Sequence, residues 1–221
     1  RRVKVVLGAN GQPAMHTVPA LITEQATNPP PPARAPSRAA RSMTPMKKEE
    51  TMKQLNSPLV NLGGDVRMPA LGLGVYRSSA EETPRVVQEA IETGYRLVDT
   101  ASAYMNEEGV GEGIRRSGIE REAMFVTSKL WLSDWGYDRA RHAVERSLRK
   151  SGLEYLDLYL LHWPVPAAFD ATVESYRALQ DLRAEGRLRA IGVSNFSAAH
   201  LEALMSRTDV VPAVNQGEMH P

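Results

Sequence analysis

Short apolar segments alternate with amphipathic helical segments along most of the chain, and this alternation is the strongest constraint on the fold. Strands are predicted near residues 71–75, 95–99, 124–129, 155–161, 188–193 and 211–217. Helices are predicted near residues 80–93, 107–117, 138–151, 171–185 and 197–206. Because strands that alternate with helices build parallel sheets with helical crossovers, we expect an α/β domain, preceded by a β-hairpin that turns at Gly63 and Gly64.

Two parallel-sheet architectures fit this alternation. A doubly wound sheet binds a dinucleotide at a Gly-x-Gly-x-x-Gly turn after its first strand. Gly72 and Gly74 supply two of these glycines, but Arg77 stands where the third is required. A barrel instead carries its chemistry at the carboxyl ends of many strands. Because polar residues follow the predicted strands at that end, we predict a partial TIM-type (β/α)8 barrel with about six of its eight β/α units.

The beginning of the chain lacks sustained periodicity and contains a proline run at 29–32, followed by a stretch rich in Ala, Arg, Ser and Pro. This composition predicts disorder, so the chain divides into a disordered segment, 1–52, and a barrel domain, 53–221. The Arg- and Ser-rich character suits a transit peptide. The favoured alternative is that the segment is not native protein, because the chain starts at Arg1 rather than methionine.

Composition argues against several classes of function. The net charge of +1 combines a basic segment, 1–48, with an acidic remainder, and an acidic domain lacks the basic face that nucleic acid requires. No stretch of about 18 apolar residues predicts a membrane span, and no apolar segment with a cleavage site predicts secretion. The chain has no cysteine, which excludes disulfides and a cysteine nucleophile. We therefore expect a cytoplasmic protein that binds neither nucleic acid nor membrane.

Four polar residues lie where predicted strands end. Asp99, Lys129 and His162 close three successive strands, and Tyr104 follows Asp99 closely. A nearby ammonium lowers the pKa of a tyrosine from about 10, so we expect Lys129 to act on Tyr104 while Asp99 holds Lys129. This set can protonate an alkoxide that forms from a carbonyl. No side chain carries hydride, so a nicotinamide cofactor is also required.

Each of these residues also has an ordinary structural explanation. Asp99 and Lys129 could form an ion pair at the rim, Tyr104 could lie in a surface loop, and His162 could be a packed histidine. Their placement at matched strand ends argues against coincidence. No metal site is predicted, because the histidines lack metal-ligand spacing. A serine nucleophile is unsupported, because Ser194 lacks the glycine of a nucleophile elbow.

At these residues the sequence resembles the aldo-keto reductases, especially bacterial members that are 2,5-diketo-gluconate reductase-like. The resemblance runs from about residue 52 to the last residue. The matching segments are 68–75, 99–107, 127–131, 157–164, 191–196 and 215–221. Six ordered motifs at compatible spacings make this resemblance specific.

The resemblance implies a monomeric barrel that binds NADPH in extended form and reduces small aldehydes and ketones to alcohols. It implies that Tyr104 is the general acid, that Lys129 and Asp99 tune it, and that His162 orients the carbonyl. The implied cofactor contacts are Gly74, Val75, Tyr76, Asp99, Ser194, Asn195 and Gln216. The implied substrate contacts are Tyr76, Trp131, His162 and Trp163.

Two features depart from the family pattern. Gly217 stands where the family has a bulky aliphatic residue, and the chain stops at Pro221. Family members continue through two more strands, which carry an aromatic side chain against the nicotinamide and a basic loop against the adenosine phosphate. A second interpretation therefore stays open: a non-catalytic truncated remnant, or a regulatory or binding protein on the same fold, as potassium-channel β subunits are.

Overall fold

The computed structural model describes residues 3–9, 12–17 and 57–218, with side chains placed over 57–217. The strands in these residues are β1 (Val3–Ala9), β2 (Gln12–Thr17), β3 (Leu59–Asn61), β4 (Arg67–Pro69), β5 (Leu73–Gly74), β6 (Leu97–Asp99), β7 (Phe125–Leu130), β8 (Leu156–Leu161), β9 (Leu188–Ser194) and β10 (Val214–Glu218). The α-helices are α1 (Thr83–Glu92), α2 (Glu107–Ser117), α3 (Tyr137–Ser151), α4 (Phe169–Ala184) and α5 (Ala198–Met205).

Strands β5 to β10 lie side by side in chain order and pair in parallel. A helix connects each of these strands to the next. The sheet therefore forms part of a TIM-type barrel, as the alternation of strands and helices predicts. Each predicted strand and helix is present, with ends that differ by only a few residues.

The parallel strands are buried on both faces, as the helical crossovers of such a sheet require. On β8, Leu158 and Leu160 lie in an inner core cluster. Tyr159 and Leu161 belong to the outer cluster that packs against the helices. Two apolar layers thus hold the strands rigidly, which fixes the positions of the residues at their carboxyl ends.

The hairpin of β3 and β4 closes the amino end of the inner core. Its strands pair antiparallel, with Val60 opposite Met68. Gly63 and Gly64 have φ values of +104° and +56°, a backbone that favours glycine, so the predicted turn is present. Met68 is buried in the inner cluster, so the hairpin completes the core opposite the carboxyl ends of the strands.

Strands β1 and β2 occur where the sequence predicts disorder. β1 pairs antiparallel with β10, from Val3 opposite Glu218 to Leu7 opposite Val214, and β2 pairs with β1. A valine-rich segment has high strand propensity, and the outer edge of β10 offers free backbone donors and acceptors to it. Residues 18–56 lie outside the described part.

Helices α2 and α3 approach each other closely. A Cβ at Gly111 would lie only 1.7 Å from the carbonyl oxygen of Ser151, so only glycine permits this contact. The contact packs the middle of α2 directly against the last residue of α3. Within the described residues, no helix is long and apolar enough to cross a membrane.

Candidate active site

A buried ion pair joins the carboxyl end of β6 to β7. Nζ of Lys129 donates to Oδ2 of Asp99 at 2.7 Å and to the carbonyl oxygen of Thr100 at 2.8 Å. Lys129 is 1% exposed and Asp99 is 8% exposed. Burial lowers the pKa of Lys129, and the negative charge of Asp99 opposes that shift. Because buried charges are stable only when paired, each of the two residues depends on the other.

Tyr104 lies beside this pair, on a short 3-10 helix that follows β6. Its ring centroid is 5.1 Å from Nζ of Lys129. Ser102, on the same short helix, donates through Oγ to the carbonyl oxygen of Lys129 at 2.9 Å. The loop that carries Tyr104 is therefore tied directly to the strand that carries Lys129.

The pKa of Tyr104 differs from the sequence expectation. Burial raises this pKa above the ordinary value, and the negative charge of Asp99 and the nearby Tyr76 raise it further. The predicted net lowering of this pKa is not found in the free protein, because burial and the negative charge of Asp99 outweigh any effect of Lys129. Tyr104 thus stays a protonated phenol, which is the form that can donate a proton.

His162 follows β8 and faces Tyr104, with ring centroids 5.7 Å apart. Burial and the positive charge of Lys129 lower the pKa of His162 to about 3, so its imidazole is neutral near pH 7. Nδ1 is buried without a hydrogen-bond partner among the described residues. A proton there would be an unsatisfied buried donor, so we assign the proton to Nε2.

This lowered pKa makes stability depend on pH. The unfolded chain binds a proton at His162 below about pH 6.5, whereas the folded protein does so only near pH 3. The unfolded state thus binds more protons in this window, so the free energy of unfolding falls as pH is lowered through it. We expect His162 to account for about 3 kcal/mol of the loss between pH 7 and pH 4.

Urea unfolding of the protein without cofactor at a series of pH values measures this effect. Between pH 7 and pH 4, the free energy of unfolding of a His162→Gln variant should fall by about 3 kcal/mol less than that of the wild type. The matched control is His142→Gln, because His142 is exposed on α3. A His162→Gln variant with the same pH slope as the wild type would show that His162 is not held neutral.

Ser194, Asn195 and Gln216 come together at the ends of β9 and β10. Asn195 donates through Nδ2 to the carbonyl oxygen of His162 at 2.9 Å and to Oγ of Ser194 at 3.0 Å. Gln216 donates through Nε2 to Oδ1 of Asp99 at 3.3 Å. Ser194 donates to the carbonyl oxygen of Gln216, so its proton is already used within the protein. The side-chain oxygens of Asn195 and Gln216 have no hydrogen-bond donor in the described residues.

Three implied cofactor contacts, Gly74, Val75 and Tyr76, lie at the end of β5, which is the mouth of the site. Tyr76 is exposed there, whereas the side chain of Val75 is buried in the core. Gly74 pairs with Asp99 in the sheet. Tyr76 is exposed, with its ring 5.0 Å from that of Tyr104. Val75 is 1% exposed and packs in the outer core cluster. Its amide and carbonyl both make protein hydrogen bonds, so Val75 shapes the mouth from beneath and exposes no side chain to it.

The predicted substrate-contact residues Tyr76, Trp131 and Trp163 follow β5, β7 and β8, and they form an aromatic rim at the end of the sheet that carries Tyr104. Trp131 packs edge-on against His162, with ring centroids 5.1 Å apart. Trp163 is 46% exposed and makes no ring contact with another aromatic side chain in the described part of the chain. The rim residues thus lie at the same end of the sheet as the tetrad, and Trp131 contacts the tetrad directly through His162.

Sequence reasoning missed the role of Asn106, which is 1% exposed. Its Oδ1 accepts from Oγ1 of Thr100 at 2.7 Å, and its Nδ2 donates to the carbonyl oxygens of Val75 and Ser78. Asn106 therefore ties the loop after β5 to the loop after β6. Its only sequence signal is its position two residues after Tyr104.

Sequence reasoning also did not identify Arg77 as a residue at the mouth of the site. It has φ of +68°, and its guanidinium lies 5.3 Å from the ring centroid of Tyr76. An arginine in the left-handed region at the mouth of a site is unusual. It adds a positive charge beside an otherwise apolar rim.

A partial barrel with a buried Lys–Asp pair, a phenol and a neutral imidazole at the carboxyl ends of its strands has the layout of a (β/α)-barrel enzyme. Comparison with known proteins makes the family specific. The model of the aldo/keto reductase family matches residues 70–221, and the chain belongs to this family of oxidoreductases.

Individual relatives agree with this assignment. The chain is 55% identical over 165 residues to the morphine 6-dehydrogenase of Pseudomonas putida, an alignment that covers 75% of this chain and 55% of the relative. The crystal structure of an aldo/keto reductase from Brucella melitensis matches with a TM-score of 0.72 and 47% identity, over 75% of this chain and 64% of that one. The aldo-keto reductase of Bombyx mori in complex with NADP matches with a TM-score of 0.69 and 37% identity, over 75% and 59%. The chain thus spans between half and two thirds of the length of these relatives.

Proposed function

We propose that the full-length protein reduces aldehyde and ketone carbonyls to alcohols with NADPH and that Tyr104 is the general acid. One observation carries this proposal: the protonated Tyr104 phenol lies between the Lys129–Asp99 ion pair and the neutral His162 ring. A donor of this kind suits an oxygen that becomes strongly basic during the reaction. An alkoxide that forms from a carbonyl is such an oxygen.

The two donors have different roles in this proposal. His162 donates from Nε2 to the carbonyl oxygen and holds it toward Tyr104. It does not protonate the oxygen outright, because a neutral imidazole is a very weak acid. Tyr104 transfers its proton as negative charge develops on the same oxygen. The Lys129 ammonium then stabilises the phenolate that remains, because opposite charges at this distance favour the ionised form.

The residues at the ends of β9 and β10 fit a nicotinamide cofactor. When bound, NADPH supplies the hydride that no side chain can carry. The free side-chain oxygens of Asn195 and Gln216 can accept from the amide nitrogen of a carboxamide. Their own amide nitrogens are already held by His162, Ser194 and Asp99, so these acceptors are preorganised. The NADP complex of the Bombyx mori relative supports this choice of cofactor.

The rim indicates the kind of carbonyl compound. Large apolar side chains are exposed at the carboxyl end of the strands, namely those of Tyr76, Met105, Trp131, Leu132 and Trp163. A concentration of exposed apolar side chains commonly marks a binding site. We propose that a small aldehyde or ketone binds with its apolar part against this rim.

Cofactor binding is tested most directly at Asn195. Asn195→Ala removes the free oxygen and both Nδ2 hydrogen bonds, and we expect it to raise the Kd of NADPH about tenfold. Fluorescence titration of the full-length protein with NADPH measures this. The control is Asn61→Ala, because Asn61 is exposed on β3 at the amino end. An unchanged Kd for Asn195→Ala would remove Asn195 from the cofactor site.

A further inference from the structure

A cavity lies at the opposite end of the barrel from Tyr104. It has a volume of about 170 Å³ and lies beneath the hairpin of β3 and β4. Its walls come from the amino ends of the barrel strands, including Leu71 before β5, Arg96 before β6, Phe125 at the start of β7 and Arg189 near the start of β9. It therefore shares no side chain with the tetrad.

The lining of this amino-end cavity is strongly basic. It includes three arginines, Arg67, Arg96 and Arg189, against one carboxylate, Glu122. Arg189 is already paired with Asp157 at 2.9 Å, and Asp157 also accepts from Arg121 at 2.7 Å. The Asp157 carboxylate thus cannot offset the remaining arginines, and the cavity carries an excess of positive charge.

Arg67 and Arg96 are the two guanidinium groups that remain. Among the described residues, neither has a carboxylate within ion-pair distance. Arg96 donates from Nη1 to the carbonyl oxygens of Ile91 and Tyr95, which fixes its side chain at the cavity. The side chain of Arg96 is half-buried. An arginine held in this way is suited to a charge-assisted hydrogen bond with an anion.

The size of the cavity limits what can bind. It is several times larger than the roughly 30 Å³ that a water molecule occupies in the liquid. It is smaller than the pockets of about 300 Å³ or more that take drug-sized ligands. A dinucleotide is therefore excluded, whereas a small polyatomic ion fits.

We infer that this cavity is a binding site for a small oxyanion, a phosphate or carboxylate group, held by Arg67 and Arg96. Guanidinium groups match the planar geometry and spacing of such oxygens. A bound anion would connect β4 to the strand ends beneath it. It would thereby stabilise the closure of the barrel's amino end, separately from any event at Tyr104.

The test is thermal melting of the full-length protein in inorganic phosphate, compared with sodium chloride at equal ionic strength. At a phosphate concentration about ten times its Kd, the Tm should rise by about 3 °C over the chloride value. Arg67→Gln and Arg96→Gln should each raise the Kd about tenfold and so remove most of this rise. Malonate in place of phosphate shows whether the site accepts carboxylates as well.

Two control variants test whether the Tm rise comes from phosphate in this cavity or from phosphate bound elsewhere. Arg85→Gln changes an exposed arginine on α1 that is outside the cavity, and it should keep the full rise. Arg77→Gln, at the carboxyl end, should also keep it. A rise that Arg77→Gln removes would place the phosphate at the proposed cofactor mouth and overturn the inference. A Tm rise that persists in Arg67→Gln would also overturn the inference. This variant is decisive because the Arg67 side chain makes no hydrogen bond to another described residue, so its replacement should not disturb the fold.

Discussion

Tyr104→Phe is expected to lower kcat for NADPH-dependent carbonyl reduction by about 10³-fold and to leave the Kd of NADPH nearly unchanged. The change removes only the hydroxyl, and general acid catalysis commonly contributes about 10²–10⁴-fold. The phenyl ring keeps its contacts with Tyr76 at 5.0 Å and with His162 at 5.7 Å. Binding and packing should therefore persist while proton transfer is lost.

The measurement follows the absorbance of NADPH in the full-length protein with a small aldehyde or diketone. Tyr155→Phe is the matched control, because Tyr155 lies just before β8 at the amino end, and it should retain wild-type activity. Equal kcat for Tyr104→Phe and the wild type would show that another group donates the proton. A wild-type protein that binds NADPH but reduces no carbonyl would instead favour the non-catalytic binding role.

The second large effect is expected at the buried ion pair. Asp99→Asn leaves the ammonium of Lys129, which is 1% exposed, without its counter-charge. Lys129→Met leaves the carboxylate of Asp99 with Gln216, at 3.3 Å, as its one side-chain donor among the described residues. Removing one partner of a buried pair costs about 3–5 kcal/mol of the free energy of unfolding, so each variant should lose about 3 kcal/mol or more.

The double variant distinguishes charge from packing. Asp99→Asn with Lys129→Met leaves no uncompensated charge, so its loss should be smaller than the sum of the single losses by about 2 kcal/mol. Urea unfolding at pH 7 measures all three variants. The exposed pair of Arg85 and Glu89 on α1 is the control, and breaking it should cost less than about 1 kcal/mol. Additive losses at Asp99 and Lys129 would show that the pair does not act through charge.

The Asp99→Asn variant should also respond differently to pH. Burial already lowers the pKa of Lys129, and the loss of Asp99 removes the charge that opposes this shift. The unfolded chain then binds more protons than the folded one over a wider range below pH 10.5. Stability of this variant should therefore rise with pH more steeply than that of the wild type.

The strand and helix positions were predictable because they depend on local periodicity. Alternating apolar runs place β5 to β10, and amphipathic spacing places α1 to α5. The end of the barrel that carries the site follows from topology, since parallel strands direct all their carboxyl ends to one side. Asp99, Lys129 and His162 could thus be predicted to meet before any coordinates were known.

Properties that depend on the surroundings of a side chain were not predictable in this way. The expectation for Tyr104 assumed a free ammonium nearby, but the ammonium is already bound to Asp99, and burial acts in the opposite direction. The family resemblance implied Val75 as a cofactor contact, and only the structure shows that its side chain packs in the outer core cluster.

Residue order alone establishes the α/β alternation, the barrel and the identity of its four polar residues. Protonation states and hydrogen-bond partners are decided only when the chain folds. Lys129 and Asp99 are 30 residues apart, and Gln216 and Asp99 are 117 apart. Desolvation and charge–charge energy depend on distances between such remote residues and on the solvent they exclude, and these quantities do not exist until the tertiary structure has formed.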